Sequence, residues 1–153
     1  MFFHIKILVA NKNIETVALK TWGFNEDGIP NWQKTILKFM WPLLRKFLIK
    51  VLDVTKENAD SDLKKAEEFF EQMDKILSKN KYILGTEEPT YVDISFASLG
   101  ALLALPDQYG GPKLSPESRM TLNDFTLEVQ KTMKKFRNTT SGKFISKMYS
   151  EQR

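Results

Sequence analysis

Residues 94–105 limit how this chain folds more than any other stretch: from Ile94 to Leu105 the side chains are apolar or small, interrupted only by Ser95 and Ser98. A helix with no polar face has no side to give to water, so this run predicts a helix at the centre of the domain. The residues ahead of it point the same way. Pro89 holds the residue before it in extended geometry, and Thr90 and Asp93 then stand at the Thr-x-x-acid spacing of a capping box. In such a box the Thr90 hydroxyl accepts the Asp93 N–H and the Asp93 carboxylate accepts the Thr90 N–H. Two donors that would be orphaned at a helix start inside protein are thereby satisfied. Pro106 ends the run, and Tyr109-Gly110-Gly111-Pro112 reads as a loop.

Amphipathic helices surround this element. One is predicted from Asn31, acting as its cap, to about Asp53, with Pro42 expected to kink it. A second spans about Asn58 to Ser78, with Leu63, Ala66, Phe69, Phe70, Met73, Ile76 and Leu77 on one face. Lys64, Glu67, Glu68, Glu71 and Lys75 lie opposite, and the carboxylates among them read as a solvated surface and not as an acid–base pair. A fourth helix is predicted from Ser115-Pro116-Glu117 to about Phe136, because proline is tolerated in a first turn. A last one opens at Ser141-Gly142 and docks through Phe144, Ile145, Met148 and Tyr149. Strand-like alternation is confined to Phe3, Ile5, Ile7 and Val9. The expected fold is all-α: a bundle of about five helices around a central buried one, with residues 1–30 as an amino-terminal arm and residues 31–153 as the helical domain.

The helix beginning at Asn31 is apolar over more than half its circumference. Trp32, Ile36, Phe39, Met40, Leu43, Phe47 and Val51 form one stripe; Leu37, Trp41, Leu44, Leu48 and Leu52 form another beside it. The first stripe is expected to attach the helix to its own core. The second, Leu37, Trp41, Leu44 and Leu48, is then the candidate binding surface, as the wall of an apolar pocket or as a contact with another chain. The competing explanation is that Phe2, Phe3, Ile5, Ile7 and Leu8 of the arm fold over it.

The 153 residues contain no cysteine and one histidine, His4. Disulfides, thiolate metal sites and thiol nucleophiles are excluded, a histidine-rich metal site is ruled out, and a Ser-His-Asp triad has almost nothing to build on. No metal ligands are expected. The net charge of +4 is unevenly spread, and the segment from Lys131 to Arg153 holds seven cations and one carboxylate. This basic tail reads as solvated helix surface and not as a nucleic-acid or membrane contact. Lys6 interrupts the apolar start before it reaches signal-peptide length, and four cations interrupt residues 36–52 before they reach the length of a membrane span. A cytoplasmic location is expected.

The segment Tyr82-Ile83-Leu84-Gly85, followed by Pro89-Thr90-Tyr91-Val92-Asp93-Ile94-Ser95, resembles the motif that opens the buried helix in the C-terminal domain of glutathione transferases. The ending Arg137-Asn138-Thr139-Thr140-Ser141-Gly142-Lys143-Phe144, with Met148-Tyr149 and Arg153, resembles the tail of a bacterial-type subset of that family. The likeness covers about residues 31–153. It implies the helical half of such an enzyme, which shapes the apolar co-substrate pocket and part of a homodimer interface. The family binds glutathione through a thioredoxin-like domain that supplies the catalytic Ser, Tyr or Cys and a cis-proline loop. Residues 1–30 are too short to form it, and their only proline is Pro30. The resemblance therefore implies glutathione as co-substrate only where such a domain is joined to this chain, and an apolar molecule or glutathione conjugate as the ligand of the helical half. No catalytic residue is assigned. The alternative is a free-standing, non-catalytic helical module that binds a protein or an apolar ligand.

Overall fold

A computed structural model describes residue 20, residues 28–51, residue 53 and residues 55–111, 113–116 and 118–151. Among these residues the regular structure is helical throughout, with five α-helices and one short 3-10 turn. The expected strand at Phe3–Val9 and most of the arm lie outside the described residues.

Helix α1 (Asn31–Val51) runs on through Pro42. Asn31 is not its cap: it is already helical, and its carbonyl accepts a hydrogen bond from the Thr35 hydroxyl at 3.0 Å. Helix α2 (Lys56–Leu77) is capped by Thr55, whose hydroxyl accepts the Asn58 N–H at 3.2 Å. Helix α3 (Tyr91–Ala104) is the apolar run, and the left-handed Leu105, with φ of 43°, closes its C-terminus. Helix α4 (Leu127–Arg137) and helix α5 (Thr140–Glu151) follow.

The start of α4 corrects the expectation from sequence. In place of a helix start at Ser115 there is a short turn, in which the Ser115 carbonyl accepts the Ser118 N–H and the Arg119 N–H. The chain then leaves this turn and restarts at a second Thr-x-x-Asp box, in which Asp124 accepts the Thr121 N–H at 2.7 Å and begins the 3-10 turn Leu122–Asp124. Two forces override the helical pattern here. Met120 and Phe125 are drawn into a small core with Leu105 and Met133. The Arg119 guanidinium donates to the carbonyls of Gly111 and Leu114 and holds the preceding loop in place.

The principal core lies where α3 meets α5, flanked by α4 and α2. It gathers Phe70, Met73, Phe96, Ala101, Phe136, Phe144, Ile145 and Met148. Small residues on α3 allow the close approach: a Cβ added at Gly100 would lie 2.6 Å from Ile145 Cδ1. Aromatic edges lock the layers, with Phe70 and Phe136 at 4.7 Å between ring centres in a T-shaped pair. Asp74 of α2 accepts hydrogen bonds from both the N–H and the hydroxyl of Ser141, tying α2 to the first turn of α5.

Helix α3 is central but not covered all round. Tyr91, Ile94, Ser95, Ser98 and Leu99 lie on one side and are exposed. The other correction concerns α1, which makes at most marginal contact with the other described helices. Its first stripe, expected to attach it to the core, faces outward: Phe39 is 89% exposed and Leu43 70%, with Trp32, Ile36, Met40, Phe47 and Val51 also exposed. Of its second stripe, Trp41 is buried and Leu37, Leu44 and Leu48 are half-buried, while Leu52 lies outside the described residues. Periodicity shows which faces of a helix are apolar; with more than half the circumference apolar, it does not show which face the fold takes.

Candidate functional site: an apolar groove between α2 and α3

The uncovered side of α3 and the adjoining face of α2 form the walls of a groove of about 650 Å³. Phe69, Phe70 and Met73 come from α2, and Phe96, Leu99 and Leu103 from α3. The α2 residues share a face because they stand three and four apart; the α3 residues do so for the same reason. Phe69 and Phe96 meet edge to face at 6.0 Å across the floor. The lining is almost wholly apolar, with Asp62 and Lys65 at one end and Ser95 on the wall. Such a surface binds by displacing water from hydrocarbon and offers little to a polar or strongly charged ligand.

The capping box fixes the head of this wall. Asp93 is fully buried. One of its carboxylate oxygens accepts the Thr90 N–H and the Thr90 hydroxyl, each at 2.8 Å, while the other accepts the Ile83 N–H at 2.9 Å. The Thr90 oxygen in turn accepts the Val92 N–H at 3.3 Å. The link to Ile83 goes beyond the two-residue box: it ties the turn after α2 to the start of α3, so that Asp93 sets the distance between the two helices that wall the groove.

The candidate binding residues read from the sequence lie elsewhere. Trp41 is 7% exposed, and Leu37, Leu44 and Leu48 are half-buried. None of the four lines the groove. They share the covered face of α1, and the arm residues proposed as their lid lie outside the described residues. Sequence reasoning did not find the groove, because Phe69 reads as core and Leu99 as part of a run buried on every side. Nor did it find the box at Thr121 and Asp124, although the spacing repeats that of Thr90 and Asp93.

A third constellation joins the arm to the domain. Lys20 donates to Asp124 at 2.7 Å, with both side chains largely buried. Burial alone would push the Asp124 carboxyl up; the Lys20 hydrogen bond, the Thr121 N–H, the Lys20 charge and the Thr121 hydroxyl together outweigh it and hold the group below its ordinary range. Among the described residues no group of three or more acidic or histidine side chains is placed to hold a metal ion, and no helix is long and apolar enough to cross a membrane.

No protein-family model matches the chain, and comparison with curated proteins and with solved structures likewise finds no match.

Proposed function

We propose that the chain is the helical, ligand-binding half of a glutathione-transferase-like protein, and that its α2/α3 groove is the wall against which the apolar co-substrate or the apolar part of a glutathione conjugate rests. The apolar groove beside the Asp93 box carries this reading, since it pairs a hydrocarbon-lined cleft with a rigid support at its head. The sequence likeness around Tyr82–Ser95 and Arg137–Arg153 supports it. On this reading the groove contributes binding and orientation, and activation of the thiol belongs to a thioredoxin-like domain joined to this chain. Nucleophilic catalysis needs an activated thiolate held in place, and on this reading the groove, although Lys65, Tyr91 and Ser95 lie along it, supplies binding and not that activation.

Two measurements on the 153-residue chain test the proposal. Fluorescence of 1-anilinonaphthalene-8-sulfonate is expected to rise on binding, to fall in Leu99→Glu, and to be competed away by glutathione carrying an S-alkyl chain but not by glutathione itself. Conjugation of a chlorinated aromatic is expected to proceed only at the uncatalysed rate. Dye binding indifferent to Leu99→Glu would remove the groove from the proposal, and turnover by this chain alone would overturn the division of labour.

A further inference from the structure

Helix α1 joins an exposed apolar face to charge that is entirely positive. Its outward stripe, seven large apolar side chains from Trp32 to Val51, is exposed, and Lys34, Lys38, Arg45, Lys46 and Lys50 stand against no carboxylate. Removing these five from the 23 cations of the chain leaves 18 against 19 carboxylates, so the rest of the chain is close to neutral. On a helical wheel the stripe fills an arc of about 120° and runs about 29 Å along the axis. Lys46 borders it beside Phe39, Lys50 enters it in the last turn, and Lys38 stands farther round on the same open side; all three are exposed. The stripe presents on the order of 900 Å², more than the ~300–600 Å² of the largest apolar patch on a typical monomer.

We infer that α1 is an in-plane anchor for an anionic membrane surface: the stripe enters the boundary between headgroups and acyl chains, and Lys38, Lys46 and Lys50 lie against the anionic headgroups. The apolar area supplies affinity for any bilayer, and the cations supply the preference for anionic lipid. Cations at five places along the helix keep it from spanning, so it lies along the interface. Lys50 reaches the headgroups from within the stripe by extending its four-carbon stem. Trp32 carries the only hydrogen-bonding group among the seven apolar side chains, an indole N–H suited to the wet edge of a bilayer. The same residues favour lipid over a protein partner. Specific protein interfaces are depleted in lysine and carry about ten directional hydrogen bonds, whereas α1 sets four lysines around a stripe with a single donor. A bilayer requires no register. The other described helices leave the stripe accessible, since α1 makes at most marginal contact with them. The basic carboxy-terminal segment lacks this combination, because Phe144, Ile145, Met148 and Tyr149 of α5 are buried and its cations accompany no open apolar face. The inference is independent of the ligand reading of the α2/α3 groove.

Co-sedimentation of the full chain with vesicles of phosphatidylcholine and phosphatidylserine is expected to bring the protein down, with binding to phosphatidylcholine alone about tenfold or more weaker. Raising the salt from ~0.1 M to ~1 M shortens the Debye length from about 10 Å to about 3 Å and is expected to weaken the binding. Leu43→Glu and Phe39→Ser change exposed positions outside the core; each is expected to weaken binding about tenfold or more while leaving the helical circular dichroism unchanged. Lys46→Gln combined with Lys50→Gln is expected to weaken it about 20-fold, from about fivefold for each cation at the surface. Because the chain has no cysteine, a nitrobenzoxadiazole label can be placed at one position. At Phe39→Cys its emission is expected to shift to the blue when anionic vesicles are added, and at Lys75→Cys, on the polar face of α2, to stay where it is. No partition into anionic vesicles, equal partition into neutral ones, or binding indifferent to both Leu43→Glu and Phe39→Ser would each overturn the inference. A Phe39→Cys label already blue-shifted in buffer would show the stripe covered by the arm or by a second copy. Loss of vesicle binding confined to Leu99→Glu, or to Lys143→Gln with Lys147→Gln, would place the lipid at the groove or at the basic tail. These outcomes overturn it as well.

Discussion

The Lys20 ammonium and the Asp124 carboxylate meet at 2.7 Å although 104 residues separate them in the chain. Their contact joins the amino-terminal arm to the loop that leads into α4, and the same carboxylate accepts the Thr121 N–H at 2.7 Å. One side chain therefore holds both a tertiary tie and a local turn.

This pair predicts a pH dependence. The folded-state pKa of Asp124 lies below its ordinary value of 3.8, so folding favours the ionised form. The resulting stabilisation is complete above the unfolded-state value and is lost as pH falls through the lowered one. In thermal melts the gap between the wild-type chain and Asp124→Asn is expected to be constant from pH 7 down to about pH 5, and to shrink below about pH 4. A gap that widens on acidification would contradict this assignment.

The capping box gives an unequal pair of mutants. Thr90→Ala is expected to cost about 1–2 kcal/mol. Asp93→Ala is expected to cost about 2–4 kcal/mol, because it leaves the Ile83 and Thr90 donors without an acceptor in a buried site. The double mutant should cost less than the sum, since both changes dismantle one unit. Equal single losses in urea denaturation would show that the Ile83 link contributes nothing.

Two glycines separate a hard clash from a soft one. A Cβ at Gly142 would overlap the Phe136 carbonyl oxygen and lie 2.7 Å from Arg137 Cα, both backbone atoms of the last turn of α4. Gly142→Ala is expected to cost more than about 3 kcal/mol or to prevent folding. At Gly100 the nearest atom is the far end of Ile145, which can rotate, so Gly100→Ala is expected to cost about 1–3 kcal/mol. Differential scanning calorimetry of the two variants tests the order.

The faces of α1 are distinguished in the same way. Phe39→Ser on the outward face is expected to change stability by no more than about 0.5 kcal/mol. Trp41→Ala on the covered face is expected to cost about 3 kcal/mol or more. Comparable losses from the two substitutions would show that both faces are buried.

The helical class is legible because every long segment repeats its apolar residues at three and four, and the head of α3 is legible because Pro89, Thr90 and Asp93 make local hydrogen bonds over three residues. Distance in sequence marks where legibility ends. Nothing near Asp74 announces that it will hold Ser141, nothing near Lys20 announces Asp124, and the second oxygen of Asp93 is committed to Ile83, which no cap pattern contains. The outward side of α1 and the open side of α3 both depart from the sequence expectation, for one reason. An apolar residue shows that water is unfavourable there but not which neighbour replaces it. The break before α4 differs, since Thr121 and Asp124 carry a readable signal that the proline at 116 outweighed.

The pairing of α3 with α5 also bears on how the chain is made. The helix most in need of cover ends at Ala104, and the side chains that cover it, Phe144 to Tyr149, are added about 40 to 45 residues later. At a synthesis rate of ~5–20 residues per second, the nascent α3 waits about 2–9 seconds for its principal partner. During that interval its apolar run is a target for premature association with other nascent chains. Synonymous changes that slow translation between residues 105 and 140 should therefore lower the soluble yield without altering the protein that is made.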